Sequence, residues 1–199
     1  MNKLLKKIMV ALLSLSLEQA VWADNVPDFK ETLQAAEQGN VQAQFNLGKM
    51  YEKGQGVRQD DAQAVQWYRK AAEQGDTKAQ TNLGNMYYHG RGVRQDDAQA
   101  VQWYRKAAEQ GDAGAQTNLG WMYDNGRGVR QDYAQAVQWY RKAAEQGLAD
   151  AQYNLGEMYY YGRGIRQNHT LAKEWFGKAC QNGLQQGCEA YRHLDGAEF

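Results

Sequence analysis

Catalysis needs a nucleophile, a metal-ligand cluster or paired carboxylates, and this chain offers few residues arranged for any of them. Its only serines, Ser14 and Ser16, sit near the N-terminus in an apolar segment, so the remainder has no serine nucleophile and no Ser-x-x-Lys motif. The histidines His89, His169 and His193 are dispersed and lack metal-ligand spacing. Glu73, Glu109 and Glu145 recur at a fixed interval, as solvated charges at helix ends do, and no two carboxylates form a general acid–base pair. The expectation is a non-catalytic protein with no metal and no cofactor. Cys180 and Cys188 are the only cysteines. An even number in an exported chain favours a disulfide, whereas zinc would call for a Cys-x-x-Cys pair that is absent.

Export is read from residues 1–23. Lys3, Lys6 and Lys7 form a basic start, Ile8 to Leu17 is apolar, and Val21-Trp22-Ala23 suits a cleavage site, so the mature chain would begin at Asp24. An uncleaved anchor is the alternative, but the apolar run is about ten residues where a span needs about twenty. Stable membrane insertion is therefore not expected after cleavage. Loss of Lys3, Lys6, Lys7 and Glu18 takes the formal net charge from +0 to about −2, which gives no electrostatic case for nucleic acid.

The elements that must position any site come from a repeat of 36 residues. Units at 35–70, 71–106, 107–142 and 143–178 share one template, and the second and third differ at six positions. Within a unit, Ala79, Leu83, Met86 and Tyr87, then Ala100, Tyr104, Ala107 and Ala108, fall at helical spacing in two stretches. Each unit is thus predicted to be an α-helical hairpin. Asp76 and Gly90 would bound the first helix. Asp96 with Gln99 reads as a capping box for the second, and Gly111 ends it. Gly48, Gly84, Gly120 and Gly156 lie inside first helices, where glycine costs about 1 kcal/mol relative to alanine, so a close helix approach is expected there. The loop Gly90-Arg91-Gly92-Val93 lacks the Gly-Lys-Ser/Thr of a phosphate loop, and both its glycines read as turn residues. Residues 24–34 hold the start of an N-terminal capping helix running from Asp28 to Gln38, with Asp28 and Glu31 as a capping box. Residues 179–199 read as a partial fifth unit and C-terminal cap.

The pattern Leu83-Gly84, Met86-Tyr87, Gly90, Gly92-Val93 and Trp103-Tyr104 through Gly111 resembles the Sel-1-like repeats, relatives of the tetratricopeptide repeat. That resemblance implies an all-α, right-handed superhelical solenoid of antiparallel helix pairs that generally serves as an adaptor in protein complexes. The hairpin carrying Cys180 and Cys188 resembles the secreted cysteine-containing bacterial branch, which implies a structural disulfide. Some secreted members are associated with β-lactam binding or hydrolysis. The absence of a serine nucleophile and of clustered metal ligands argues against that activity in this chain.

Differences among the units locate the candidate site. Five of the six differences between the second and third units fall within Thr77–His89 and its image Ala113–Asn125. Positions spaced by four and then three share one helical face, and they give Phe45, Lys49, Glu52; Thr81, Asn85, Tyr88; Thr117, Trp121, Asp124; and Tyr153, Glu157, Tyr160. This face is expected to line the concave side and bind a peptide or protein, with Tyr88, Trp121, Tyr153 and Tyr160 as anchors. Neutral drift at exposed positions is the competing explanation. Trp67, Trp103, Trp139 and Trp175 recur with the repeat and are assigned to packing. A second candidate is an arginine ladder for an anionic partner, Arg91 with Arg94, Arg127 with Arg130, and Arg163 with Arg166, against which stands pairing with Asp96, Asp132 and neighbouring carboxylates. The expected role is an envelope adaptor, the exported protein residing in the periplasm. A secreted factor acting on a host or neighbouring cell is the alternative.

Overall fold

The computed structural model describes residues 28–196, and the predicted leader at 1–23 lies outside them. Ten helices and no strands occur among the described residues. They are α1 (Phe29–Glu37), α2 (Val41–Lys53), α3 (Asp61–Glu73), α4 (Thr77–His89), α5 (Asp97–Glu109), α6 (Ala113–Asn125), α7 (Tyr133–Glu145), α8 (Ala149–Tyr161), α9 (His169–Gln181) and α10 (Gln185–Asp195). Helices pack mainly on their neighbours in sequence, so the core is a series of small interfaces, as a quasi-one-dimensional array requires.

The helices start where side chains can replace missing backbone partners. Asp76 accepts from the Ala79 N–H at 2.7 Å, and Asp112 from that of Ala115 at 2.6 Å. Each such cap contributes about 1 kcal/mol. The expected capping box at α5 is only half formed. Asp96 accepts from the Gln99 N–H at 2.9 Å, but the Asp96 N–H donates to the Tyr87 carbonyl in α4 at 3.0 Å. That donor is already used, so Gln99 has nothing to receive there. Asp60, Asp132 and Asn168 repeat the arrangement with Tyr51, Tyr123 and Tyr159, which ties each second helix to the end of the first. At α1, Asp28 caps through Lys30.

Within each hairpin the glycine of the first helix receives an aromatic ring of the second. Tyr68, Tyr104, Tyr140 and Phe176 lie so close to Gly48, Gly84, Gly120 and Gly156 that a Cβ there would meet ring carbons at 2.6–2.7 Å. The expected close approach is therefore made by a ring over a bare helix surface. Leu47, Leu83, Leu119 and Leu155 are fully buried beside it. Burial of such a side chain stabilises by roughly 1.5–3 kcal/mol.

Two devices join one unit to the next. Gln44, Gln80, Gln116 and Gln152 are buried, and each donates to a carbonyl near the end of the preceding helix, Gln44 to Ala36 of α1 and Gln80 to Ala72, both at 3.1 Å. Each also accepts an amide from the end of the following second helix, Gln80 from Gln110 at 2.8 Å and Gln152 from Asn182 at 2.9 Å. Buried amides satisfied on both sides fix the register of neighbouring units. The second device is the loop. Gly92, Gly128 and Gly164 have φ near +65° and sit against the backbone of the previous unit, where a Cβ would lie 2.1–2.3 Å from Asp61, Asp97 or Tyr133 backbone atoms. Turn geometry alone thus understates that glycine, which also permits contact between backbones.

Trp67 and Trp103 are buried and Trp139 and Trp175 half-buried. Each carries a lysine ammonium over its ring at 3.9–4.3 Å, from Lys70, Lys106, Lys142 and Lys178. At the C-terminus a disulfide joins Cys180 in α9 to Cys188 in α10.

Candidate functional site

The varied face of the first helices divides into residues turned toward the core and residues that line cavities between units. Phe45 is 8% exposed and packs on Tyr68 with ring centroids 5.9 Å apart, so it belongs to the core. Lys49 lies over that ring at 5.6 Å. The Thr81 hydroxyl has the Thr77 carbonyl and Asp112 as alternative acceptors within 3.2 Å, and the Thr117 hydroxyl donates to the Ala113 carbonyl. These hydroxyls serve local structure.

Asn85, Tyr88 and Trp121 come together. They line a cavity of about 180 Å3 between α4 and α6, with the Tyr88 and Trp121 rings edge to face at 5.6 Å. The Asn85 carbonyl oxygen accepts from Tyr104 Oη at 2.7 Å and from Asn118 Nδ2 at 3.3 Å. Two donors fill its two lone pairs and hold the amide in place. Tyr153, Glu157 and Tyr160 line a second cavity of about 180 Å3, between α8 and α10. Position 52 of one unit therefore lies beside position 49 of the next, and the pair is aromatic at Tyr88 and Trp121 and acidic at Asp124 and Glu157. Burial raises both carboxyls above the usual carboxylate range, and Arg163 pulls each of them back down.

The arginine ladder splits into two rows. Arg94, Arg130 and Arg166 are exposed on the loops. Arg91, Arg127 and Arg163 reach back to the previous unit, and each meets one residue from the end of a first helix and one from the start of a second. Arg91 pairs with Glu52 and Asp61, both at 3.0 Å. Arg127 lies over the Tyr88 ring at 5.4 Å and pairs with Asp97 at 2.6 Å. Arg163 lies 3.7 Å from Asp124 and 6.0 Å over the Tyr133 ring. Two of the six differences between the central units are thus a matched exchange. Tyr88 with Asp97 becomes Asp124 with Tyr133, and from this pair of positions the arginine keeps one carboxylate and one ring, Arg163 having the Tyr161 ring besides. The carboxylates involved are Glu52, Asp61, Asp97 and Asp124, whereas Asp96 and Asp132 are occupied as helix caps.

The Sel1 repeat family model matches residues 41–76, 77–112, 113–148 and 149–184. The chain belongs to the Sel1 repeat family. Its Sel1 units in that phasing begin at the first helix, Val41 for the first of them. A crystal structure of a protective antigen of uropathogenic Escherichia coli is similar, with 43% identity and a TM-score of 0.81 over 83% of this chain and 36% of that one. A Sel1 repeat protein from Oxalobacter formigenes is 40% identical with a TM-score of 0.78, over 85% of this chain and 70% of that one. Cysteine rich protein B of Helicobacter pylori is 31% identical with a TM-score of 0.53, over 68% of this chain and 98% of that one. This chain spans about a third of the Escherichia coli antigen. No curated protein matches it significantly. Sel1 repeat proteins are typically non-catalytic scaffolds and generally bind proteins. No helix among the described residues is long and apolar enough to cross a membrane.

Both cavities are also lined by residues outside the predicted site, among them Tyr104 on the second helix α5 and His193 on α10. Tyr161, 59% exposed, lines the α8–α10 cavity, and Asn118 helps line the α4–α6 cavity. A signal for Tyr161 existed. Its images Lys53, His89 and Asn125 all differ, and a step of eight residues extends the four-then-three face.

Proposed function

We propose that this chain is a non-catalytic scaffold of the bacterial cell envelope that binds a peptide or protein along the first helices of its repeats. The observation that carries this reading is the α4–α6 cavity. There Tyr88 and Trp121 from successive units form an accessible aromatic pair beside the fixed amide of Asn85. Aromatic side chains with a polar edge are the commonest anchors of protein interfaces. Export is supported by the apolar leader and by the Cys180–Cys188 disulfide, a bond that persists in oxidising compartments. The exposed arginines Arg94, Arg130 and Arg166 offer a second edge for an anionic partner.

A secreted role is the second reading. It is favoured by similarity to a protein described as a protective antigen, although this chain spans 36% of that protein. Affinity capture from periplasm and from culture medium tests both readings. The mature protein is compared with a variant carrying Tyr88→Ala, Trp121→Ala and Tyr160→Ala, after circular dichroism has shown equal helicity. A resident periplasmic partner lost with the variant is the expected result. A partner present only in the medium selects the secreted role, and equal capture by both proteins rejects the first-helix face.

A further inference from the structure

The cavity between α8 and α10 has the chemistry of a cation receptor. Its wall includes Tyr153, Tyr160, Tyr161, Phe176 and His193, and the one carboxylate that lines it is Glu157. The rings are held edge to face or tilted, Tyr160 against Tyr161 at 4.8 Å and Tyr153 against Phe176 at 5.3 Å. Tyr161 stands at the mouth, exposed to solvent.

Glu157 brings a carboxylate that is hydrogen-bonded to Tyr153 and lies near Arg163 but has no ion-pair partner among the described residues. Two half-buried carboxylates, Asp124 and Glu157, face the Arg163 guanidinium. Arg163 lies 3.7 Å from Asp124, and no ion pair to Glu157 within 4.0 Å forms among the described residues. Two carboxylates thus share one guanidinium beside a set of aromatic rings. Ring faces attract cations, more strongly where water is partly excluded. A guanidinium is weakly hydrated and planar, so it can stack on a ring and pair with a carboxylate at once. Arg163 already does the first of these at the rim, 5.1 Å over the Tyr161 ring. The α4–α6 cavity is a built-in comparison of equal volume, about 180 Å3, in which the neutral Asn85 stands at the place of Glu157 and Trp121 at that of His193.

We propose that the α8–α10 cavity receives an arginine side chain of the polypeptide bound along the first-helix face, its guanidinium stacked on the Tyr160–Tyr161 wall and paired with Glu157. The proposal rests on the scaffold reading and gives it a specificity: the partner carries an arginine where it passes the last repeat.

The test is an NMR titration of the mature protein with N-acetylarginine N-methylamide, with the equivalent blocked citrulline as a neutral isostere, and with blocked lysine. Arginine is expected to give saturable shifts at Tyr153, Glu157, Tyr160 and Tyr161. Citrulline should bind about tenfold more weakly or worse, as expected when a charge-assisted hydrogen bond is lost. Glu157→Gln, which keeps the side-chain shape, should weaken arginine binding to the citrulline level, and Tyr161→Ala at its exposed site should weaken it too. Citrulline or lysine binding as well as arginine overturns the proposal, as do shifts unchanged by Glu157→Gln or no saturable shift at all. Capture of a partner through Tyr88 and Trp121 without arginine shifts removes this receptor and leaves the scaffold intact. Arginine shifts without any face-dependent capture do the reverse.

Discussion

The Tyr104 ring lies against the bare Cα of Gly84, so close that an added Cβ would stand 2.6 Å from its Cδ1 and Cε1. Tyr104 is 2% exposed and its hydroxyl is held by Asn85 at 2.7 Å, so the ring has nowhere to retreat. Gly84→Ala would ordinarily stabilise a helix by about 1 kcal/mol, but overpacking a filled core costs about 1–3 kcal/mol. The second effect should win. Urea unfolding is expected to show a net loss of about 1–2 kcal/mol for Gly84→Ala, while Gly114→Ala in α6 should be neutral or stabilising, because Lys78 occupies its image beside the same kind of aspartate cap.

Gly126 and Gly128 separate two roles that a loop glycine can have. Both have φ near +65°, which costs a non-glycine residue about 1–2 kcal/mol. At Gly126 a Cβ would meet Gln131 Cβ at 3.1 Å, whereas at Gly128 it would meet the Asp97 carbonyl oxygen at 2.2 Å. Gly128→Ala is therefore expected to lose about 2 kcal/mol more than Gly126→Ala. It should also lower the denaturant m-value, because the contact it breaks joins two units and not two ends of one turn.

Arg127 contacts Tyr88 and Asp97, and Arg163 contacts their exchanged counterparts Asp124 and Tyr133. Asp97→Tyr alone leaves Arg127 between two rings with no carboxylate and should lower the thermal midpoint. Adding Tyr88→Asp recreates the third unit's arrangement and should recover most of that loss. A double-mutant cycle by thermal unfolding measures the coupling. Strict additivity of the two changes would mean that the exchange is incidental.

Stability should depend on pH through Glu157, whose carboxyl is raised chiefly by burial. A group with a higher pKa folded than unfolded binds more protons in the folded state between the two values, so stability falls as pH rises through that window. Above it the cost remains in full. Glu157→Gln cannot ionise and is expected to unfold at higher urea than the wild type at pH 7. That advantage should vanish near pH 3, below the ordinary glutamate range of about 4.3. An advantage independent of pH would point to packing and not to charge.

Local chemistry was legible where one residue decides the outcome. Asp76 and Asp96 read as caps because a short carboxylate next to an apolar period reaches a backbone N–H three residues on. Gly84 read as a site of close approach because glycine inside a helix needs compensation. Its partner, the Tyr104 ring, could not be read, since the ring comes 20 residues later and its direction depends on how the hairpin closes. The same limit applies to Phe45, which shares a face with Lys49 and Glu52 but turns into the core against Tyr68. It also applies to Arg91 and Arg94, three residues apart on one loop, of which only Arg91 reaches the previous unit.

The helical hairpin, its 36-residue repetition and the family are legible in the chain before it folds, because periodic burial and capping are properties of neighbouring residues and recur with them. Tertiary structure alone decided which varied residues meet. Tyr88 touches Trp121 and Arg127, and Glu157 stands near Asp124 and Arg163, across junctions between units. Those contacts depend on the rise and rotation from one unit to the next, which are set by the Gln80 amide bridge and the bare Gly92 and Gly128 loops acting together, and no single stretch of chain contains that geometry.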